Sequence, residues 1–149
     1  MRKLTCILLL TVLLLTMITV PAYADGTWKK NASGWWYQNE DGSYPAGCIR
    51  EIGGKRYYFN ASGYMQTGWQ KLGGSWYYFD GSGAMRTGWQ QIGGKWYYLD
   101  GSGAMQTGWL KSGGYWYYLD GSGAMLAGVT RSIGGRSYSF DASGRCVNP

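Results

Sequence analysis

Gly93 to Ser112 reads GGKWYYLDGSGAMQTGWLKS, and the meaning of this 20-residue stretch decides the fold. Gly73 to Ile92 before it is GGSWYYFDGSGAMRTGWQQI, Gly53 to Leu72 is GGKRYYFNASGYMQTGWQKL, and Gly113 onward is GGYWYYLDGSGAMLAGVTRSI. Self-similarity at a fixed period of 20 residues marks a repeat architecture, whose copies are too small to bury a core alone and must stack on their neighbours. Further out, Gly34 to Cys48 (GWWYQNEDGSYPAGC) is a degenerate first copy, and Gly134 to Pro149 (GGRSYSFDASGRCVNP) is a truncated last one after a one-residue insertion. About six repeats therefore fill residues 34–149, and residues 25–33 are left as a short linker.

Each repeat predicts a β-hairpin. Trp96-Tyr97-Tyr98-Leu99 has high strand propensity, Asp100-Gly101-Ser102-Gly103 is a turn cluster, and Ala104 to Thr107 is the expected returning strand. Asp80, Asp100 and Asp120 recur at this turn, and single carboxylates beside glycine serve the turn itself. An isolated hairpin of this size is marginal in water. The expected fold class is therefore all-β, a solenoid of stacked β-hairpins at about 20 residues per repeat, with the terminal repeats as caps.

Residues 1–24 read as a signal peptide. Arg2 and Lys3 precede an apolar run from Leu4 to Val20, and Ala22-Tyr23-Ala24 offers small residues for cleavage before Asp25. The alternative is an uncleaved anchor, since about 17 residues suffice to span a thin bilayer. The expected location is outside the cell. The mature charge is +4, from 12 Lys and Arg against 8 Asp and Glu once Arg2 and Lys3 are removed. The basic residues are scattered singly apart from Lys29-Lys30, which argues against nucleic acid as a partner. There is no histidine, so no imidazole base or ligand exists, and neither metal nor cofactor is expected. Cys48 and Cys146 lie near opposite ends of the repeats and are expected to be unpaired or intermolecular thiols.

Aliphatic core material is scarce, whereas the chain carries 9 Trp, 14 Tyr and 26 Gly. Along a strand, Trp96 and Tyr98 face one way and Tyr97 and Leu99 the other, so one face can pack inside. Three Trp-x6-Trp pairs recur: Trp69 with Trp76, Trp89 with Trp96, and Trp109 with Trp116. Plain filler could be Leu or Val, so paired indoles with no acid or base nearby point to a ligand face. Bare aromatic walls suit a sugar ring or a quaternary ammonium held by cation–π attraction. A methionine in each repeat (Met85, Met105, Met125) favours methyl groups over hydroxyls.

The unit GGKWYYLDGSGAMQTGW closely resembles the choline-binding, or cell-wall-binding, repeat of Gram-positive surface proteins and phage or pneumococcal-type autolysins. The resemblance covers nearly all of the mature chain. It implies a left-handed superhelix of hairpins with choline between successive hairpins, against two Trp, a Tyr of the next repeat and a Met. Carried over residue by residue, it implies three cages. They are Trp69, Trp76, Met85 and Tyr97; then Trp89, Trp96, Met105 and Tyr117; then Trp109, Trp116, Met125 and Tyr138. Either tyrosine of a pair could close a cage, and the last repeat, with Ser137 and Ser139 around Tyr138, favours the first. Cys48 stands for the first tryptophan and Arg56 for the second at one junction, which is expected to carry no site, and Val129 ends the series.

The implied function is a non-catalytic cell-wall-binding module for choline on teichoic or lipoteichoic acid, with no membrane span after signal removal. A homodimer through the terminal repeats is the other partner expectation. The alternative is a glucan- or polysaccharide-binding repeat of the related toxin-tail type. An enzyme is not expected, because lysins of this kind carry a separate catalytic domain.

Overall fold

In the computed structural model, residues 3–5 and 26–149 are described. The signal peptide expected over residues 1–24 otherwise lies outside them. Every described element is a β-strand. In chain order these are β1 (Lys3–Thr5), β2 (Thr27–Asn31), β3 (Gly34–Gln38), β4 (Tyr44–Ala46), β5 (Cys48–Ile52), β6 (Lys55–Phe59) and β7 (Gly68–Leu72). They continue as β8 (Ser75–Phe79), β9 (Gly88–Ile92), β10 (Lys95–Leu99), β11 (Gly108–Ser112), β12 (Tyr115–Leu119), β13 (Val129–Ile133) and β14 (Arg136–Phe140). Six two-stranded hairpins follow one another: β2–β3, β5–β6, β7–β8, β9–β10, β11–β12 and β13–β14. The all-β fold of tandem hairpins is as the sequence implies.

The hairpins close at a different place from the one expected. Lys95 pairs with Ile92 and Leu99 with Gly88, so the turn is Gly93-Gly94 and the partner of Trp96–Leu99 precedes it. Both glycines have positive φ, 58° and 78°. That is the type I′ geometry whose twist matches paired strands. Asp100-Gly101-Ser102-Gly103 instead links one hairpin to the next. The Asp100 carboxylate accepts the Ser102 amide (2.8 Å) and the Ala104 amide (3.1 Å). The chain beyond makes a single bridge, Leu99 to Met105, in place of the expected returning strand. The linker is corrected too, because Thr27–Asn31 pairs in full with Gly34–Gln38 and belongs to the first hairpin.

Two compact units result. The first comprises residues up to Gly68 together with Phe79–Met85; the second comprises Trp69–Tyr78 and Arg86–Pro149. In the first, Tyr37, Ile52 and Phe59 form a buried cluster flanked by Trp28, Tyr57 and Met65, and β1 pairs in parallel with β4. In the second, Leu99, Leu119 and Phe140 end successive strands and are buried. The core is thus one apolar strand-end residue per repeat, with methionine packed on glycine between repeats. A Cβ on Gly123 would collide with the Met105 sulfur, so only glycine lets that methionine lie flat. Cys146 is a free buried thiol, while Cys48 is disulfide-bonded. The expectation of two unpaired or intermolecular thiols is corrected at Cys48.

Candidate functional site

Cross-strand pairing places the first tryptophan of each pair beside a tyrosine of its own hairpin, as Trp89 opposite Tyr98 and Trp109 opposite Tyr118. The next hairpin then adds a second tyrosine. Trp69 stands 5.2 Å from Tyr78 and 5.0 Å from Tyr97. Trp89 stands 5.3 Å from Tyr98 and 4.9 Å from Tyr117, and Trp109 is 5.2 Å from Tyr118 and 4.7 Å from Tyr138. The rings meet edge to face or tilted, the favoured arrangement for aromatic pairs. The second tryptophan turns across the first, at 90° for Trp69–Trp76 and 89° for Trp109–Trp116. The result is an aromatic corner that is open on one side: Trp96 remains 40% exposed.

The structure builds the same corner a fourth time. Trp28 lies 5.2 Å from Tyr37 and 5.0 Å from Tyr57, and with Trp35 and Met65 it lines a cleft of about 430 Å³. Its counterpart, lined by Trp89, Trp96, Tyr117, Met125 and Ser143, measures about 390 Å³. The sequence reading missed this site, although Trp28 and Trp35 have the same Trp-x6-Trp spacing as the other three pairs. Treating residues 25–33 as linker hid it.

The methionines also sit differently from the expectation. Met125 joins Trp89 and Trp96, where Met105 was expected. The backbone gives the rule. The Met65 amide donates to the Trp35 carbonyl, Met105 to Trp76, Met125 to Trp96 and Cys146 to Trp116, each at 2.8 Å. Each cage thus takes its sulfur residue from one repeat further along, and the Trp109–Trp116 cage has Cys146 where Met125 was expected. Met85, expected beside Trp69 and Trp76, donates its amide to the Arg56 carbonyl at 2.7 Å.

Register corrects the empty junction as well. Ile49, opposite Tyr58, holds the place of Trp89, and Cys48 pairs with Phe59 as Gly88 pairs with Leu99. Thr130 rather than Val129 lies opposite Ser139 at the corresponding place in β13.

The electrostatics favour a cation. Lys30, Lys71 and Lys111 place their ammonium groups over Trp35, Trp76 and Trp116 at 5.4, 5.9 and 5.6 Å. These indoles already present π-faces to positive charge. Opposite Trp96 the residue is Gln91. Arg145 lies over the Tyr115 ring at 4.1 Å, and the neighbouring Tyr117 hydroxyl raises the arginine pKa. Among the described residues no carboxylate lines the two clefts, so ring faces supply their attraction for a cation.

A family model described as the choline-binding repeat matches residues 46–87 and 86–129, more than half of the chain. The chain belongs to the choline-binding repeat family. Among solved structures, this choline-binding-repeat chain is similar to choline-binding protein F of Streptococcus pneumoniae. Identity is 42% over 83% of this chain and 42% of that one, with a TM-score of 0.77. It is similar also to CbpJ of Streptococcus pneumoniae (42% identity, 82% of this chain, 42% of that chain, TM-score 0.78). A third is the pneumococcal cell-wall endolysin of phage Cp-1, solved with choline (40% identity, 84% of this chain, 38% of that chain, TM-score 0.61). The chain therefore spans about two fifths of the length of these proteins. Among curated proteins, none matches it.

Proposed function

We propose that the four aromatic corners each hold the trimethylammonium group of a choline, and that through them the protein attaches to choline-bearing teichoic or lipoteichoic acid on a bacterial cell wall. The proposed walls are Trp28, Trp35 and Tyr57; Trp69, Trp76 and Tyr97; Trp89, Trp96 and Tyr117; and Trp109, Trp116 and Tyr138, with Met65, Met105, Met125 and Cys146 beside them in turn. The observation that carries this reading is the recurrence of one aromatic geometry whose second indole (Trp35, Trp76, Trp96 and Trp116) stays exposed each time. A quaternary ammonium has no N–H to donate, so ring faces alone can hold it, and the polymer end of choline leaves through the open side.

Cation–π contacts of roughly 0.5–2 kcal/mol each, over three walls, give about the 4 kcal/mol of a millimolar site. Attachment then depends on several weak sites acting together on one polymer. The role is one of binding without catalysis, and the apolar leader fits export to the surface where that polymer lies. Retention on a choline-type anion-exchange resin, with elution by free choline, tests the reading. It fails if choline does not elute the protein, or if titration calorimetry shows no heat up to tens of millimolar choline. Elution by a sugar with choline inactive would move the assignment to polysaccharide.

A further inference from the structure

A different cavity, of about 130 Å³, opens at the N-terminal hairpin, lined among the described residues by six between Asn31 and Tyr64. By position it is one half of a cage. Trp36, third residue of β3, holds the place of the tyrosine that closes a cage, as Tyr117 does in β12. The Asn39 amide bonds the Ser43 carbonyl as the Asp80 amide bonds that of Ala84, so Tyr44 stands where the next repeats have methionine. A Cβ on Gly63 would collide with the Tyr44 ring, as one on Gly123 would with Met105. Among the described residues no hairpin precedes β2, so the two indole walls of a full cage are missing here.

Polar groups stand in their place. Tyr64 replaces the alanine found at positions 84, 104 and 124, and Ser62 lies on the rim. Asn31 Oδ1 accepts the Ser33 amide at 2.9 Å, which aims its Nδ2 at the Tyr64 oxygen, 3.1 Å away. The phenol oxygen therefore accepts from Asn31. Hydrogen bonds from Asn31 first and Ser33 second also hold the Tyr64 pKa below its ordinary value. Trp36 and Tyr44 form the apolar corner, with ring centroids 6.0 Å apart at 78°. Three departures from the repeat pattern thus converge on one cavity: tryptophan for tyrosine, tyrosine for methionine, and tyrosine for alanine.

We propose that this half-cage is a saccharide site, in which one hexopyranose ring stacks its C–H face on Trp36 against Tyr44 while Tyr64, Asn31 and Ser62 read its hydroxyls. Among the described residues the lining carries no charged side chain, which suits a neutral ligand, and the volume suits a single ring. Choline is disfavoured, since no tryptophan precedes Trp28 to supply the two indole walls of a full cage.

The test is saturation-transfer NMR on the full chain with choline at saturation, so that the cages are filled, using glucose, galactose and N-acetylglucosamine as probes. Transfer to at least one sugar, with an affinity of about millimolar, is expected. Tyr44→Met and Tyr64→Ala install what the other repeats carry, so both should fold and keep their choline stoichiometry. Each should weaken sugar binding at least tenfold. The proposal is overturned by no transfer to any of the three sugars at tens of millimolar, by transfer that choline abolishes, or by transfer undiminished in either variant. Choline stoichiometry is read separately, so loss of this proposal leaves the cage assignment standing.

Discussion

Hairpins β2–β3 and β5–β6 lie in the same compact unit and share one build, two five-residue strands in full register around a two-residue turn. Only the first carries a cage. In β2–β3, Trp28 faces Tyr37 and Trp35 faces Lys30; in β5–β6, the same places hold Ile49 opposite Tyr58 and Arg56 opposite Glu51. The backbone does not register the loss of both indoles. What the two hairpins have in common is the buried cluster of Tyr37, Ile52 and Phe59. Fold and binding therefore part at the second indole: Trp28 stacks on Phe59 against the buried cluster, whereas Trp35 stands exposed outside it. Turn residues and a strand-end apolar residue make the hairpin, and two residues seven apart make the cage.

If that division holds, the largest effect on stability comes from a residue that binds nothing. Phe59 is fully buried, so Phe59→Ala should cost about 3–5 kcal/mol by chemical denaturation, the usual range for emptying an aromatic core position. Next in size is an exchange that copies β5–β6 onto β9–β10. Trp89→Ile with Trp96→Arg should leave the circular dichroism of the strands intact and lower the choline count by calorimetry from about four to about three, while retention on choline-bearing wall falls by a larger factor because one foothold on the polymer is gone. An unchanged count would mean that the walls of this cage lie elsewhere. Smaller again is Trp35→Arg, which gives β3 the residue found in β6. Trp35 is 44% exposed and outside the buried cluster, so stability should barely change. A loss of one bound choline supports the N-terminal cage, and a count of three in the parent protein would remove it.

The 20-residue period made the hairpin fold legible, and the Trp-x6-Trp spacing made most of the cage walls legible. Two adjacent turn signals competed in each repeat, and the sequence reading took Asp100-Gly101 over Gly93-Gly94. Physical chemistry favours the latter, because both of its residues must have positive φ. The methionine assignments went one repeat astray for a deeper reason. Met105 meets Trp76 through a backbone hydrogen bond between chain positions 29 apart, and side-chain periodicity carries no record of that register. The N-terminal cage was available from spacing alone. It was missed because Trp28 precedes the stretch that looks like a repeat, although strand pairing extends past it to Thr27.

The smallest expected effect concerns the link between hairpins, where β5–β6 and β9–β10 also differ. After β6 the linking residue is Asn60, which accepts the Ser62 and Tyr64 amides at 3.0 Å each. After β10 it is Asp100, which accepts the corresponding Ser102 and Ala104 amides and the Ser102 hydroxyl. The hydroxyl bond is the main reason that the Asp100 pKa lies below its ordinary 3.8, with the backbone amides adding to it and burial opposing it. A carboxyl group whose pKa is lowered on folding stabilises the fold above its unfolded pKa, and that contribution disappears as the pH falls through the folded value. The thermal midpoint should therefore decline as the pH is taken below 3.8. Asp100→Asn copies the Asn60 link, which keeps the amide bonds without a titrating group. Its midpoint at neutral pH should lie within about one or two degrees of the parent, as for other exposed substitutions. Its acid decline should be shallower, with the remainder due to other carboxylates such as Asp41, whose pKa the Ser43 hydroxyl lowers in the same way. An acid decline identical in parent and variant would show that the Asp100 bonds are no stronger for being ionised. The choline count should stay unchanged throughout, because Asp100 does not line the Trp89–Trp96 cleft beside which it turns the chain.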